Sequence, residues 1–107
     1  MLRGKIEGLE PQLLAGLEQV ARAIGKPIEI ISGLRTRDEQ EELYRRYLNG
    51  TGNLAAVPGT SRHESGQAAD VYVDGVPLAD VEGARQAASD AGLGFPVAGE
   101  AWHVERT

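Results

Sequence analysis

The sequence predicts a small α+β domain in which helices pack on one face of a small central antiparallel sheet and a polar site occupies the other face. Three observations indicate this class: apolar residues recur at helical spacing over 11–24, a β-branched run spans 28–31, and apolar and polar residues alternate over 68–74. A chain of 107 residues is long enough for one hydrophobic core and too short for two, so we expect a single domain over 1–107.

The first predicted element is a helix from about residue 11 to residue 24. Its leucine, valine, alanine and isoleucine side chains fall on one stripe. Pro11 suits the first helical position, and Gly25 and Pro27 end the helix. The β-branched run that follows predicts a buried strand.

A second helix is predicted after Thr36, because Thr36 and Glu39 have the spacing of a capping box. Its apolar side chains share one face, which we expect to pack in the core: Leu43, Tyr44, Tyr47 and Leu48. The segment 49–61 is rich in Gly, Asn, Thr and Pro and predicts a long loop.

The second half of the chain predicts two strands separated by a helix. The alternation over 68–74 directs the apolar residues toward the core and Asp70 toward the opposite face. An Asp-Gly turn and a helix over about 78–91 follow. A last strand over about 101–105 places Trp102 and Val104 on the core face, and it places His103 and Glu105 on the polar face.

Composition excludes several classes of partner. The 16 acidic residues outnumber the 11 Lys and Arg residues, and no basic cluster is present, so we expect no nucleic-acid partner. No apolar run approaches the roughly 20 residues of a membrane span, so we expect no membrane partner, and the N-terminus lacks a basic-then-apolar signal pattern. The absence of cysteine excludes a disulfide framework.

Both histidines of the chain lie in short polar segments, His63 in the loop before a strand and His103 on the last strand. With Asp70 they provide two imidazoles and a carboxylate, a donor set that suits a catalytic zinc ion with an open fourth position. Glu100, three residues before His103, is placed to act as a general base. Arg35, at the end of the first buried strand, offers a fixed cation for a substrate carboxylate or a developing oxyanion.

These residues also have plainer interpretations. Asp70 would be a solvated residue on the wet face of its strand, and Arg35 would pair with a carboxylate at the start of the second helix, Asp38 or Glu39. Two further acidic residues, Glu64 and Glu105, we expect to be solvated and not to bind metal.

Three motifs occur in order along the chain. The pattern S-x-H-x-x-G-x-A-x-D spans 61–70, E-x-W-H spans 100–103, and S-G-x-R followed by Gln spans 32–40. With these motifs the chain resembles the zinc D-alanyl-D-alanine carboxypeptidases and dipeptidases of the VanY and VanX type, whose fold is shared with the hedgehog signalling domain. Leu34 departs from the pattern, because family members often carry an aromatic residue there.

The resemblance implies a role for each motif residue. The ligands of one zinc ion would be His63, Asp70 and His103, the catalytic base would be Glu100, and the transition state would be stabilised by Arg35. Two further residues, Ser61 and Gln40, would line the substrate site. For Gln40 an alternative is open, in which a buried amide braces the loop that carries the arginine.

The resemblance also implies an activity, the zinc-dependent hydrolysis of peptidoglycan peptides by a D-alanyl-D-alanine carboxypeptidase. The short chain lacks the insertions that narrow the cleft of dipeptidases, which favours an open groove. Two alternatives remain: a peptidoglycan endopeptidase such as a phage or autolytic lysin, and a non-catalytic zinc-binding module that recognises the wall. We expect a monomer whose partner is a peptidoglycan peptide of the bacterial cell wall, whether the protein is exported or released as a phage lysin.

Overall fold

A computed structural model describes residues 1–107, which form a mixed sheet with helices on both sides. The strands are β1 (Leu2–Gly4), β2 (Ile28–Ser32), β3 (Ala68–Val73), β4 (Val76–Pro77), β5 (Leu93–Gly94) and β6 (His103–Arg106). The α-helices are α1 (Pro11–Ile24), α2 (Arg37–Leu48) and α3 (Ala84–Asp90), and two short 3-10 helices span Arg62–Ser65 and Leu78–Asp80.

The strand order is β1-β2-β3-β6-β5, with β4 paired to β3 as a hairpin. All pairs are antiparallel except β1 with β2. The α+β class is therefore confirmed, and the expected antiparallel pairing is found everywhere except between β1 and β2, which makes the sheet mixed. The parallel pair arises because α1 forms a crossover between β1 and β2, and β1 is too short at three residues to show a pattern in the sequence.

The hydrophobic core lies between one face of the sheet and the helices α1 and α3. Its buried members come from both helices, from four strands, from the segment before α1 and from the second 3-10 helix: Leu9, Leu13, Leu17, Val20, Ala21, Ile28, Ile30, Ala69, Val71, Val73, Leu78, Ala84, Ala87, Ala88, Leu93 and Val104. Among the helices, α1 contributes the most core residues, and they come from its predicted apolar stripe. Pro11 begins this helix, and Gly25 ends it in the left-handed conformation with its N–H bonded to the Ala21 carbonyl, as the sequence predicts.

Helix α2 lies on the other side of the sheet and contributes little to the core. Its capping box is present, with Thr36 and Glu39 exchanging two hydrogen bonds of 3.1 Å. Only Gln40 is buried along the whole helix, whereas Tyr47 and Leu48 are exposed. The expectation that its apolar face packs in the core is wrong, because that side of the sheet holds a polar groove whose wall α2 forms.

The segment between β3 and β6 also differs from its prediction. The Asp-Gly turn is present and closes the hairpin of β3 and β4. The single helix expected over about 78–91 is interrupted by a non-helical stretch, in which Gly83 has a φ of 79°. Trp102 precedes β6 and is half-buried at the groove instead of packing in the core. No helix has the length and apolar character needed to cross a membrane.

Candidate metal centre and groove

Two of the three proposed ligands are fixed by strand pairing. Asp70 on β3 and His103 on β6 are direct cross-strand partners, so their side chains leave the same face of the sheet side by side. Ser32 on β2 pairs with Asp70 from the other direction. The predicted polar face is therefore present, and it lies opposite the core residues that alternate with these positions.

The third proposed ligand, His63, comes from the 3-10 helix Arg62–Ser65. Ser61 caps this helix, since its Oγ accepts a hydrogen bond of 3.2 Å from the His63 N–H. Gly66 ends it with a φ of 74°, and a Cβ at that position would lie 2.3 Å from the Gly8 carbonyl oxygen. Only glycine fits this close approach, so the motif glycine fixes where the helix sits against the chain before α1.

The three ligand atoms form a nearly equilateral triangle. The Asp70 Oδ1 atom lies 3.3 Å from His63 Nε2 and 3.5 Å from His103 Nδ1, and the two nitrogens lie 3.4 Å apart. Ligands of a tetrahedral zinc ion with bonds of about 2.0–2.1 Å are separated by about 3.3–3.4 Å. The spacing of the triangle therefore fits zinc, and these three residues are brought together as the sequence predicts.

The positions of the protons on the two imidazoles also support a bound metal ion at this triangle. His63 donates from Nδ1 to the Gly33 carbonyl at 2.9 Å, and His103 donates from Nε2 to Glu105 at 2.7 Å. In the neutral imidazoles the nitrogens that face Asp70 then carry lone pairs. The Asp70 Oδ1 atom is buried and has no hydrogen-bond partner. Three acceptors facing one another without a donor are an arrangement that a bound cation satisfies.

Charge on the ligands depends on their shared environment. Burial raises the pKa of Asp70, but the rings of His103 and His63, which donate to this carboxylate when they are protonated, and the charge of Arg35 outweigh burial and bring this pKa to about 2. Burial lowers the pKa of His103, but the hydrogen bonds and charges of Asp70 and Glu105 outweigh burial and raise this pKa above 6.5. Asp70 is thus ionised at neutral pH, and a proton competes with a metal ion for His103 below its raised pKa.

Arg35 contacts one of the proposed ligands, Asp70, directly. Its guanidinium donates to Asp70 Oδ2 at 3.2 Å and to Ser32 Oγ at 3.3 Å, and it is largely buried. The structure thus pairs this arginine with a proposed metal ligand, and the alternative pairing with Asp38 or Glu39 is absent. The contact leaves Asp70 Oδ1 facing the histidines and holds the carboxylate in one orientation.

Gln40 holds Arg35 in place through hydrogen bonds. Its side-chain oxygen accepts from the Arg35 guanidinium at 3.2 Å, and its amide nitrogen donates to the Ala56 carbonyl at 2.8 Å. The residue is 0% exposed, so its position does not support the expected contact with substrate. The observed contacts match the bracing alternative instead, and they also attach the 49–61 loop to α2.

The metal centre lies in a groove of about 980 Å³. Glu100 lines this groove, with one carboxylate oxygen 4.0 Å from His103 Nδ1 and the side chain 20% exposed. Ser61 also lines it, as expected, and apolar side chains form part of its wall: Leu34, Leu43, Leu54, Val97 and Trp102. A smaller cavity of about 650 Å³ adjoins and shares Arg35, Ser61 and Arg62 with the groove.

Sequence reasoning missed the role of two acidic residues. Glu105, expected to be solvated, is only 18% exposed and contacts both His103 and Arg62. The strand alternation predicts that Glu105 shares the face of His103, but it does not show that the two side chains are hydrogen-bonded. Glu64 is half-buried and accepts two hydrogen bonds, of 2.8 and 3.1 Å, from the Gly59 N–H, which holds the end of the 49–61 loop.

The family model for VanY, D-alanyl-D-alanine carboxypeptidase, matches residues 9–92. The chain belongs to the VanY family. Among curated relatives, the peptidoglycan L,D-endopeptidase MepK of Escherichia coli K12 is 30% identical over 93 residues, which cover 85% of this chain and 47% of MepK. The chain thus spans about half the length of this curated relative.

Solved structures of VanY-like peptidases share the fold. DacB of Streptococcus pneumoniae D39 is 30% identical with a TM-score of 0.66, over 94% of this chain and 67% of DacB. A D,D-pentapeptidase VanY from a VanB-type resistance cassette, solved in complex with Zn(II), is 25% identical with a TM-score of 0.60, over 90% of this chain and 68% of that protein. The resemblance to this family and its fold is therefore confirmed.

Proposed function

We propose that this VanY-family chain is a zinc-dependent peptidase that hydrolyses peptidoglycan peptides, acting as a D-alanyl-D-alanine carboxypeptidase. The observation that carries the proposal is the buried, unpartnered Asp70 Oδ1 facing two imidazole lone pairs on the floor of a groove. A glutamate lies within 4.0 Å of one of those imidazoles. One ion fits the single triangle of ligands, which are His63, Asp70 and His103.

Zinc held by these residues would supply Lewis-acid chemistry, polarising a carbonyl group and making a water molecule more acidic. The protein supplies the proton transfers. The Glu100 carboxylate lies beside the ligand triangle and faces the groove, so it would take a proton from the attacking water and deliver it to the departing amine. A binding-only module has no need for such a base, and this argues against the non-catalytic alternative.

Arg35 would act on charge rather than on protons. Its guanidinium is held by Asp70, Ser32 and Gln40 while lining the groove, so it forms a pre-positioned cation. Negative charge that develops on the scissile carbonyl oxygen would be stabilised by such a cation at no cost of reorganisation. The same guanidinium holds the Asp70 carboxylate in one orientation.

A peptidoglycan endopeptidase is the second candidate, and one observation favours it. The cavity beside the groove continues past Ser61 and Arg62, so a longer peptide has room to extend beyond the metal centre. The relative MepK carries the name of an L,D-endopeptidase. In either case the site of action would be the bacterial cell wall, and we propose that the protein works there as a monomer.

Product analysis separates the two activities. The zinc-loaded protein is incubated with a stem pentapeptide ending in D-Ala-D-Ala and, separately, with intact sacculi, and products are identified by mass spectrometry. Release of D-alanine alone supports the carboxypeptidase, while release of cross-bridge or internal fragments supports the endopeptidase. Binding of zinc without cleavage of either substrate would overturn the proposed peptidase and leave the wall-recognition module.

A further inference from the structure

We infer that Glu105 and Arg62 act as positioning residues that fix His103 for metal binding and tie together the two segments that carry the histidine ligands. Glu105 Oε2 accepts a hydrogen bond of 2.7 Å from His103 Nε2, and Glu105 Oε1 lies 3.1 Å from Arg62 Nε. Both carboxylate oxygens are therefore engaged. The inference rests on the proposed metal site, and it assigns a role to two residues outside the ligand set.

The sheet register makes room for this arrangement. Glu105 and His103 are two positions apart on β6, so both side chains leave the same face. The cross-strand partners of Glu105 are Ala68 on β3 and Gly94 on β5. Neither partner has a long side chain that would compete for the carboxylate, and Glu105 is thus free to turn along its own strand toward His103.

The hydrogen bond from Nε2 determines which imidazole nitrogen meets the metal. A carboxylate accepts and does not donate, so it holds the proton on Nε2 and leaves the lone pair on Nδ1. Nδ1 is the atom that lies within 3.5 Å of both Asp70 Oδ1 and His63 Nε2. A negatively charged partner behind a histidine ligand also makes the imidazole more basic, which strengthens metal binding.

Arg62 gives the pair a second function. It lies on the same 3-10 helix as His63, immediately before it, whereas Glu105 lies on the strand that carries His103. Their ion pair therefore links the two elements whose separation sets the distance between the ligand nitrogens. Arg62 is half exposed, so water and salt screen this link, and its effect should be smaller than that of the hydrogen bond to His103.

The test compares four variants with the unaltered protein. Zinc affinity is measured at pH 8 by competition with a chromogenic chelator, and the visible spectrum of the cobalt-substituted protein reports ligand geometry. We expect Glu105→Ala to weaken zinc binding about 10–100-fold and to alter the cobalt spectrum. Glu105→Gln, whose amide oxygen still accepts from His103 Nε2, should lose less zinc affinity than Glu105→Ala. Arg62→Ala should lose the least zinc affinity of the three. Glu29→Gln, which changes an exposed carboxylate on β2, is the matched control and should bind zinc like the unaltered protein.

A readout without metal guards against variants that bind zinc poorly for other reasons. In the metal-free protein at pH 8, long-range ¹H–¹⁵N correlation spectra report the tautomer of each histidine. The unaltered protein should carry the His103 proton on Nε2, and Glu105→Ala should show a mixture while circular dichroism confirms its fold. If Glu105→Ala does not fold, the same measurements on Glu105→Gln and Arg62→Ala test the positioning role.

The outcomes separate this inference from the proposed function. If the unaltered protein binds no zinc, the proposed metallopeptidase fails, and this inference fails with it. If it binds zinc and the Glu105 variants match it in affinity, cobalt spectrum and tautomer, the positioning role alone is overturned. A loss of zinc affinity that is largest in Glu105→Ala, smaller in Glu105→Gln and smallest in Arg62→Ala supports both the proposed metal site and the positioning role.

Discussion

Zinc should raise the unfolding temperature of this protein at pH 8, and the rise should shrink as the pH falls to 6. An unfolded chain does not hold His63, Asp70 and His103 together, so the ion stabilises the folded state alone. With free zinc a hundredfold above the dissociation constant, the free energy of unfolding increases by about 2.7 kcal/mol. For a domain of this size the corresponding rise in Tm is roughly 10–20 °C.

The pH dependence follows from His103. Burial lowers its pKa in the folded metal-free protein, but the hydrogen bonds and charges of Asp70 and Glu105 outweigh burial and raise the pKa above 6.5. Below that raised pKa zinc must displace a proton, and each further pH unit weakens binding about tenfold, or about 1.4 kcal/mol. In the metal-free protein the contribution of His103 to stability depends on pH in the opposite direction. Because the folded pKa exceeds the unfolded value, protonated His103 stabilises the fold below about pH 6.5, and this contribution is lost as the pH rises through the folded pKa.

Scanning calorimetry at a buffered concentration of free zinc measures both effects. The protein is unfolded at pH 8, 7 and 6 with zinc and with chelator, and the difference in Tm is compared at each pH. His63→Ala serves as the control, since it removes one ligand and should abolish the gain from zinc at every pH. An equal gain at pH 6 and pH 8, or a gain that persists in His63→Ala, would refute the assignment of these ligands.

Three substitutions test other parts of the site. Glu100→Gln should retain zinc and its calorimetric gain while turnover on a D-Ala-D-Ala pentapeptide falls by about 10²–10⁴-fold, and hydrolysis at the parental rate would eliminate Glu100 as the base. Gln40→Leu removes both bonds that join Arg35 to the 49–61 loop, so urea unfolding should show a loss of about 1–3 kcal/mol together with reduced kcat; unchanged stability would contradict the bracing role. Gly66→Ala forces a Cβ to 2.3 Å from the Gly8 carbonyl at a φ of 74°, so its urea midpoint should fall, and a midpoint equal to that of the parent would show that the 3-10 helix shifts freely.

Short-range patterns predicted which side chains share the polar face of the sheet, and they did so for a physical reason. Alternation on a strand fixes the face of each side chain, so Asp70 and His103 could be placed on one polar face before any pairing was known. The capping box at Thr36 is likewise a local interaction within one turn. The same alternation places Glu105 on the face of His103, but the hydrogen bond between them depends on side-chain conformations that the alternation does not reveal.

Features that depend on distant contacts were predicted poorly. Periodicity shows that α2 has an apolar face, but it does not reveal that this face lies outside the core, with Leu43 lining the groove and Tyr47 and Leu48 exposed. Trp102 lies one residue before β6, so extending the strand pattern to it gave the wrong environment. The strand Leu2–Gly4 gains its place from pairing with β2 across the whole of α1, and three residues carry no pattern of their own.

The two faces of the sheet have different roles, because one packs in the hydrophobic core and the other carries the proposed ligands and the groove. On β3 and β6 the core residues Val71 and Val104 alternate with Asp70 and His103, so close packing on one face sets the backbone that places the ligands on the other. The groove walls are attached differently, because α2 buries only Gln40, and side-chain hydrogen bonds tether the 49–61 loop. If the proposed function holds, changes in those walls should alter which peptide is bound while leaving the triangle of His63, Asp70 and His103 intact, whereas changes in the core should disturb that triangle first.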